Sequence, residues 1–128
     1  MSRILVVDDQ PEIRDILRTL LESEGYEVVA AEDGRAGLKQ QSSTPADLAI
    51  VDLVMPGMNG LDMICEFRHR FAGVKIIAMS GAQHFMVDKN LESSRINGAD
   101  RAFKKPFDLQ QLLAAIEDLL GESVAAQS

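Results

Sequence analysis

Short apolar runs rich in Val and Ile alternate five times with segments of helical periodicity, and this alternation constrains the fold more than any other feature of the sequence. The runs are residues 4–7, 28–31, 48–51, 75–79 and 102–104, of which the second and the fifth are the weakest. Such runs predict strands that are buried on both faces, with helices as the crossovers between them. We therefore expect an α/β fold with a doubly wound, five-stranded parallel sheet built from five βα units.

Five helical segments accompany these strands, and the first and the last are the best marked. Pro11 suits the first position of a helix that ends at Gly25. Asp108 can cap the last helix, with Gln111 three residues further on and Gly121 at its end. The remaining segments are the short 35–41, the apolar 61–71 and the poorly patterned 85–96.

Apolar residues at helical spacing predict which side chains face the sheet. The predicted stripes are Ile13, Ile16, Leu17, Leu20 and Leu21 on the first helix, Leu61, Ile64, Cys65, Phe67 and Phe71 on the third, and Leu109, Leu112, Leu113, Ile116, Leu119 and Leu120 on the last. Cys65 is the single cysteine, so we interpret it as a small core residue without a disulfide partner.

Length and charge narrow the function classes. A chain of 128 residues fits one domain, which we expect over residues 1–121, with a flexible tail over 122–128. The net charge of −7 argues against direct binding to nucleic acid or to an anionic membrane, since both need Lys and Arg to neutralise phosphates. The chain turns acidic at Asp8, too early for a signal-peptide core or a membrane helix, which predicts a cytoplasmic protein.

Carboxylates follow two of the predicted strands. Asp8 and Asp9 end the first strand, and Asp52 ends the third. The flavodoxin-like strand order 2-1-3-4-5, a common order for such sheets that we adopt rather than derive, would place these two strands side by side. Three like charges in one pocket need a proton or a cation among them. Mg²⁺ suits the site because it binds one or two carboxylates and keeps room for waters and phosphate oxygens.

Two further polar groups follow the last two strands. Ser80 ends the fourth strand, and Lys105 follows the fifth. Phosphoryl transfer needs a nucleophile in line, a divalent ion and donors for the equatorial oxygens. Asp52, the metal, Ser80 and Lys105 would supply this set.

The sequence resembles response-regulator receiver domains over almost its whole length, from residue 4 to about residue 120. The resemblance rests on four ordered blocks: residues 6–9 (Val-Val-Asp-Asp), 52–60 (Asp-Leu-Val-Met-Pro-Gly-Met-Asn-Gly), 80–82 (Ser-Gly-Ala) and 105–107 (Lys-Pro-Phe). It implies that Asp52 is the phosphoacceptor and that Ser80 and Lys105 bind the phosphoryl oxygens. It also implies a Mg²⁺ site, with Mn²⁺ as an alternative ion, formed by Asp8, Asp9, Asp52 and the backbone carbonyl of Val54.

The resemblance further implies a signalling switch rather than a metabolic enzyme. A sensor histidine kinase or a histidine phosphotransfer protein would donate the phosphoryl group. A downstream protein target would then read a changed face formed by the fourth predicted helix, the fifth strand and the last helix. The chain would be a free-standing receiver or the N-terminal part of a larger DNA-binding or enzymatic regulator. One departure from the family pattern is Ala102, which replaces the usual aromatic switch residue, and alternation aims the neighbouring Phe103 at the opposite face.

Other interpretations remain for these residues. Asp8 and Asp9 could cap the first helix, and Lys104 and Lys105 could protect an exposed edge strand. The two histidines, His69 and His84, have no partner at metal-ligand spacing and are expected on the surface.

Two other function classes share parts of this pattern. A haloacid-dehalogenase-like phosphatase also uses an aspartyl nucleophile with Mg²⁺, but it needs a second acid where this chain has Val54. A flavodoxin-like electron carrier binds its cofactor at the same crevice. Asp8 and Asp9 would repel the cofactor phosphate, and the chain has no Trp and one Tyr to stack on a flavin.

Overall fold

A computed structural model describes residues 2–53, 60–81, 98–105 and 107–121. Five strands and four helices lie within these ranges. They are β1 Arg3–Val7, α1 Pro11–Ser23, β2 Glu27–Ala31, α2 Gly34–Ser43, β3 Leu48–Asp52, α3 Gly60–Arg70, β4 Lys75–Ser80, β5 Arg101–Lys104 and α4 Leu109–Leu120. The predicted helix over residues 85–96 and the predicted tail over residues 122–128 lie outside the described ranges.

The strands form one parallel sheet in the order β2-β1-β3-β4-β5, which confirms the predicted doubly wound, flavodoxin-like arrangement. β1 and β3 are neighbours, and Val7 pairs with Val51 in their register. The next residues along the two strands are Asp8 and Asp52. Their positions at the same edge of the sheet therefore follow directly from the strand order and the register.

The sheet is buried on both faces, as its apolar runs predict. One face packs against α2 and α3 through a cluster whose helical members include Leu38, Ile64 and Phe67. The other face packs against α1 and α4 through a cluster that includes Leu17 and Ile116. The two clusters hold the sheet rigidly from both sides, so the residues at its carboxyl edge are carried on a fixed frame.

Three apolar residues that were predicted to be buried are exposed. Cys65 is on the surface, Ile16 is 51% exposed and Leu109 is 39% exposed. Each lies at the margin of its apolar stripe, because neighbouring helical residues are rotated by about 100°. On α3 the buried side is set by Met63, which the prediction missed, and by Ile64, so Cys65 turns outward.

The helix ends follow the predicted signals with one exception. Asp108 Oδ1 accepts hydrogen bonds from the amides of Gln110 and Gln111, and Gly121 ends α4 at a φ of 70°. α1 begins with Pro11 in its first turn and has no side-chain cap at Gln10 within the described structure. None of the helices in the described ranges has the length and apolar character needed to cross a bilayer.

Candidate functional site

Three carboxylates meet at the carboxyl edge of the sheet. Asp8 and Asp9 follow β1, and Asp52 ends β3. One oxygen from each of these side chains lies within 4.8 Å of the others. Asp8 and Asp52 are buried, whereas Asp9 is exposed at the rim. The structure thus brings together the three acids that the sequence predicted as one group.

Asp8 has a local hydrogen bond that distinguishes it from a helix cap. Its Oδ1 accepts from the backbone amide of Gln10 at 2.9 Å, and Gln10 is the residue before α1. The second oxygen, Oδ2, faces the pocket and accepts from Lys105. The alternative interpretation of Asp8 as a cap of α1 is therefore wrong.

Lys105 supplies the positive charge of the pocket. Its Nζ lies 2.8 Å from Asp8 Oδ2 and 3.3 Å from Asp52 Oδ2, and its side chain is only 12% exposed. Burial lowers the pKa of Lys105, but the hydrogen bond to Asp8 and the charges of Asp52 and Asp8 outweigh that effect. The net result is a pKa raised above the ordinary value of 10.5, so the amine is a cation throughout the physiological pH range.

The position of Lys105 depends on β4. Its backbone amide donates to the carbonyl of Ser80 at 2.8 Å, which ties the residue to the end of that strand. A Cβ at Gly81 would lie 3.2 Å from Lys105 Cδ, so a glycine there leaves room for the aliphatic part of the lysine. Ser80 itself is fully buried as the last residue of β4. Lys104, by contrast, is exposed on β5 and fits the edge-protecting role that we considered for both lysines.

Two residues near the pocket were missed by the sequence analysis. Gln10 Oε1 lies 3.4 Å from Lys105 Nζ, and Arg14 Nη1 donates to the carbonyl of Asp8 at 2.6 Å. Both lie at the start of α1, four residues apart, and therefore on the same face of the helix. That spacing next to the two acids was the signal that could have identified them.

The remaining predicted residues fall into two groups. Val54, whose carbonyl was predicted as a ligand, and His84 lie outside the described residues, and His69 is exposed as expected. Ala102 pairs with Ala78, which belongs to the cluster under α2 and α3, whereas Phe103 packs on the opposite face against the other cluster. The prediction that Phe103 points away from the face of Ala102 is confirmed.

The donor set suits a hard divalent cation. It consists of carboxylate oxygens, the ligands that Mg²⁺ prefers, and it carries three negative charges against one from Lys105. The excess of negative charge leaves a demand for a further cation. The same arrangement exposes a carboxylate oxygen at the end of a rigid strand beside a cationic donor, which is suited to attack on an electrophile whose oxygens bear negative charge.

Comparisons with known proteins agree with this geometry. The family profile described as the response regulator receiver domain matches residues 4–117. A CheY-like receiver domain protein from Methanospirillum hungatei JF-1 superposes with a TM-score of 0.87 at 33% identity, covering 95% of each chain. The response regulator TrrA from Thermotoga maritima, solved in complex with Mg²⁺ and BeF, gives a TM-score of 0.79 at 38% identity, covering 93% of this chain and 99% of its own.

The chain belongs to the response regulator receiver domain family, a class of phosphoacceptor signalling switches. Among curated relatives, a probable transcriptional regulatory protein from Picosynechococcus sp. is 37% identical over 93% of this chain and 49% of its own length. The response regulator ArlR from Staphylococcus epidermidis is 34% identical over 94% of this chain and 53% of its own. The chain thus spans about half the length of these relatives.

Proposed function

We propose that Asp52 accepts a phosphoryl group in a Mg²⁺-dependent reaction that the chain catalyses on itself. The observation that carries this proposal is the position of Lys105 Nζ, which bridges Asp8 Oδ2 at 2.8 Å and Asp52 Oδ2 at 3.3 Å beside the third acid. A cation placed on the oxygen of a candidate nucleophile can stabilise the charge that develops on a transferred phosphoryl group.

The Asp52 carboxylate acts as the nucleophile. One of its oxygens forms a bond to phosphorus while the bond between phosphorus and the donor's leaving atom breaks, and the electron pair of that bond leaves with the donor group. β3 contributes rigidity, because all five of its residues are buried within the sheet. Fixing the attacking oxygen on such a strand reduces the entropy that the reaction must lose.

Lys105 and Ser80 bind oxygens of the transferred group. The ammonium of Lys105 can donate to a phosphoryl oxygen on Asp52 because Nζ already lies within 3.3 Å of the carboxylate. Ser80 ends the strand next to β3, so its hydroxyl is available at the same edge for a second oxygen. The buried surroundings of these groups strengthen their interactions with the developing charge.

Asp8, Asp9 and Asp52, with the backbone carbonyl of Val54, would hold the Mg²⁺ ion, and Mn²⁺ would be an acceptable substitute. When bound, the ion supplies positive charge that offsets both the carboxylates and the phosphoryl oxygens. Exposed Asp9 leaves one side of the site open to solvent and to an incoming donor.

The biological donor and reader follow from the family. We propose a sensor histidine kinase or a histidine phosphotransfer protein as the donor, in a cytoplasmic setting, and a downstream protein as the reader. The face made by residues 85–96, β5 and α4 would change its affinity for that reader. Phosphorylation changes the local charge by adding about −1.5 to −2 and three acceptor oxygens. Some relatives are named as transcriptional regulators, and for this chain we propose a regulatory role without direct contact to nucleic acid.

Incubation with acetyl phosphate tests the proposal directly. Parent protein should form a covalent adduct that is stable in acid and cleaved by hydroxylamine, as expected of an acyl phosphate, and only when Mg²⁺ is present. Asp52→Asn should form none. Asp15→Asn, which changes an exposed acid on α1, is the matched control and should behave as the parent.

Intact-mass spectrometry measures the adduct, and the same samples without Mg²⁺ test the metal requirement. An adduct of equal yield on Asp52→Asn would show that another residue is the acceptor. Equal yield with EDTA would remove the metal from the reaction.

A further inference from the structure

Arg68 on α3 uses all of its hydrogen-bond donors on backbone and carboxylate oxygens. Nε and Nη2 donate to the carbonyl of Gly98 at 3.2 and 2.7 Å, and Nη1 donates to the carbonyls of Ala72 at 3.1 Å and Val74 at 2.7 Å. Nη2 also donates to Asp100 Oδ2 at 2.8 Å. A guanidinium has five N–H groups, and these bonds account for all of them. We call this arrangement the Arg68 clamp.

The Arg68 clamp joins three parts of the chain. Ala72 and Val74 lie between α3 and β4, and Gly98 and Asp100 come directly before β5. Gly98 has a φ of +121°, and a Cβ there would lie 3.2 Å from Arg68 Cγ, so the glycine permits both the backbone conformation and the close approach. The clamp therefore fixes the point at which the chain enters β5.

Asp100 connects the clamp to the sheet. Its backbone amide donates to the carbonyl of Ile76 at 2.7 Å, and its Oδ2 accepts from the amide of Ile76 at 2.8 Å. Asp100 is thus bonded twice to one residue of β4, one position before the paired residues Ile77 and Arg101. This double bond sets the register in which β5 begins on β4.

β5 needs such a device because little else fixes it. It has four residues, none of them fully buried, and it lies at one edge of the sheet with β4 as its neighbour. Register is weakly specified in a strand that buries little surface. It matters here because Lys105 follows β5 directly, and a shift by one residue moves the chain by about 3.3 Å. That distance is larger than the separation of Lys105 Nζ from Asp8 Oδ2, 2.8 Å.

We propose that Arg68 is a positioning residue for phosphoryl transfer: by fixing the start of β5 through Gly98 and Asp100, it places Lys105 between Asp8 and Asp52. This inference rests on the proposed function of the acidic site. It assigns a role in the reaction to a side chain at the opposite end of β5 from the carboxylates.

The test compares two variants of the clamp with a matched control. Arg68→Lys keeps the charge but has three donors and no planar fork. Asp100→Asn keeps the size of the side chain but removes the charge that Arg68 binds. Arg3→Lys is the control, because Arg3 also forms an ion pair at the amino end of a strand and has nearly the same exposure, 29% against 30%, but lies on β1.

Three measurements are made on the full chain at a temperature where every variant is folded. They are the rate of phosphorylation by acetyl phosphate with Mg²⁺, the affinity for Mg²⁺, and the NMR resonances of Lys105 Cε and Nζ. We expect both clamp variants to lose about 10- to 100-fold in rate, as a small displacement of a reacting group costs. The Lys105 resonances should shift, and Mg²⁺ affinity should not fall, because the three acids lie on β1 and β3. Arg3→Lys should stay within about twofold of the parent in rate.

The inference is overturned if both clamp variants react as fast as Arg3→Lys, or if they react slowly while the Lys105 resonances stay unchanged. A purely structural role would lower the stability of all three variants without moving Lys105. If Arg68→Lys does not fold, Asp100→Asn decides the question alone. If the parent takes up no phosphoryl group, the proposed function fails, and the Lys105 resonances still show whether the Arg68 clamp controls the position of the lysine.

Discussion

The acidic pocket holds more negative charge than Lys105 can balance, and Asp52→Asn tests what this excess costs the folded protein. The substitution keeps the shape of the side chain and one acceptor oxygen, so it changes little besides charge. In the parent, Asp52 lies with Asp8 and Asp9 in a group whose oxygens are within 4.8 Å of one another. Its one described cationic neighbour is Lys105, at 3.3 Å.

The magnitude follows from these distances. At an effective dielectric constant of about 20, two like charges 4.8 Å apart repel by about 3.5 kcal/mol, and opposite charges 3.3 Å apart attract by about 5 kcal/mol. Asp8 provides the first repulsion, and exposed Asp9 adds a screened one of about 1 to 2 kcal/mol. Attraction and repulsion therefore nearly cancel. What remains is the cost of burying the Asp52 carboxylate, several kcal/mol for an ion and less for an amide.

We therefore expect Asp52→Asn to unfold with a free energy about 1 to 2 kcal/mol greater than that of the parent when divalent cations are removed with EDTA. For a domain of this size the melting temperature should rise by roughly 3 to 6 °C. Urea denaturation followed by circular dichroism measures the free energy. Asp15→Asn, the exposed control on α1, should change it by less than about 0.5 kcal/mol.

Saturating Mg²⁺ should reverse the trend. Bound cation stabilises the folded protein in proportion to its affinity, and the parent offers one carboxylate more than the variant. The difference between the two proteins should then narrow or change sign. An Asp52→Asn protein that is no more stable than the parent in EDTA would refute the reasoning, because neither repulsion nor burial would then dominate at this site.

Two further outcomes are expected from single substitutions. Lys105→Met should lower the free energy of unfolding by about 3 kcal/mol, because it leaves buried Asp8 without its cation. Because the pKa of Lys105 is raised in the folded state, this contribution is fully present below pH 10.5 and is lost as the pH rises through the higher folded value, so urea titrations of both proteins should converge only above pH 10.5. Asp108→Ala should cost about 1 kcal/mol by removing the cap of α4, measured by the urea midpoint at unchanged slope; no change would mean that solvent replaces the two cap bonds.

The sequence predicted the sheet and the acidic site because both depend on local signals. Apolar runs bounded by Asp, Gly and Pro mark where strands end, and parallel strands bring their carboxyl ends to one edge. Asp8, Asp9 and Asp52 could therefore be placed together before any coordinates. Asp108 and Gly121 likewise marked the ends of α4 through backbone chemistry that involves only neighbouring residues.

Burial at the margins of the helices could not be predicted in the same way. Cys65 and Ile16 each lie one residue from a buried position, and hydrophobicity alone does not say which edge of a stripe turns to solvent. That choice depends on the rotation of the helix on the sheet. On α3 the rotation places Met63 inside, close to Gly37 of α2, and this contact joins residues that are far apart in sequence.

Contacts between distant polar residues were also beyond the sequence. Arg68 and Asp100 are separated by 32 residues, and each is an ordinary surface residue when its own helix or strand is considered alone. Their ion pair exists because the order of β3, β4 and β5 brings the end of α3 next to the start of β5. Arg14 was missed for a related reason, since its bond to the carbonyl of Asp8 depends on the turn between β1 and α1.

Charge holds β5 at both of its ends, and the proposed reaction changes only one of them. At the start of the strand, Arg68 binds Asp100 and Gly98 with neither partner near the carboxylates of the pocket. At its end, Lys105 divides its bonds between Asp8 and Asp52. If Asp52 gains a phosphoryl group, the new oxygens compete with Asp8 for Lys105, and the chain after β5 must follow the lysine. With the start of the strand fixed by the Arg68 clamp, that movement falls on the end of β5 and the entry to α4, so this chain can change its surface even though Ala102 offers no aromatic ring to turn.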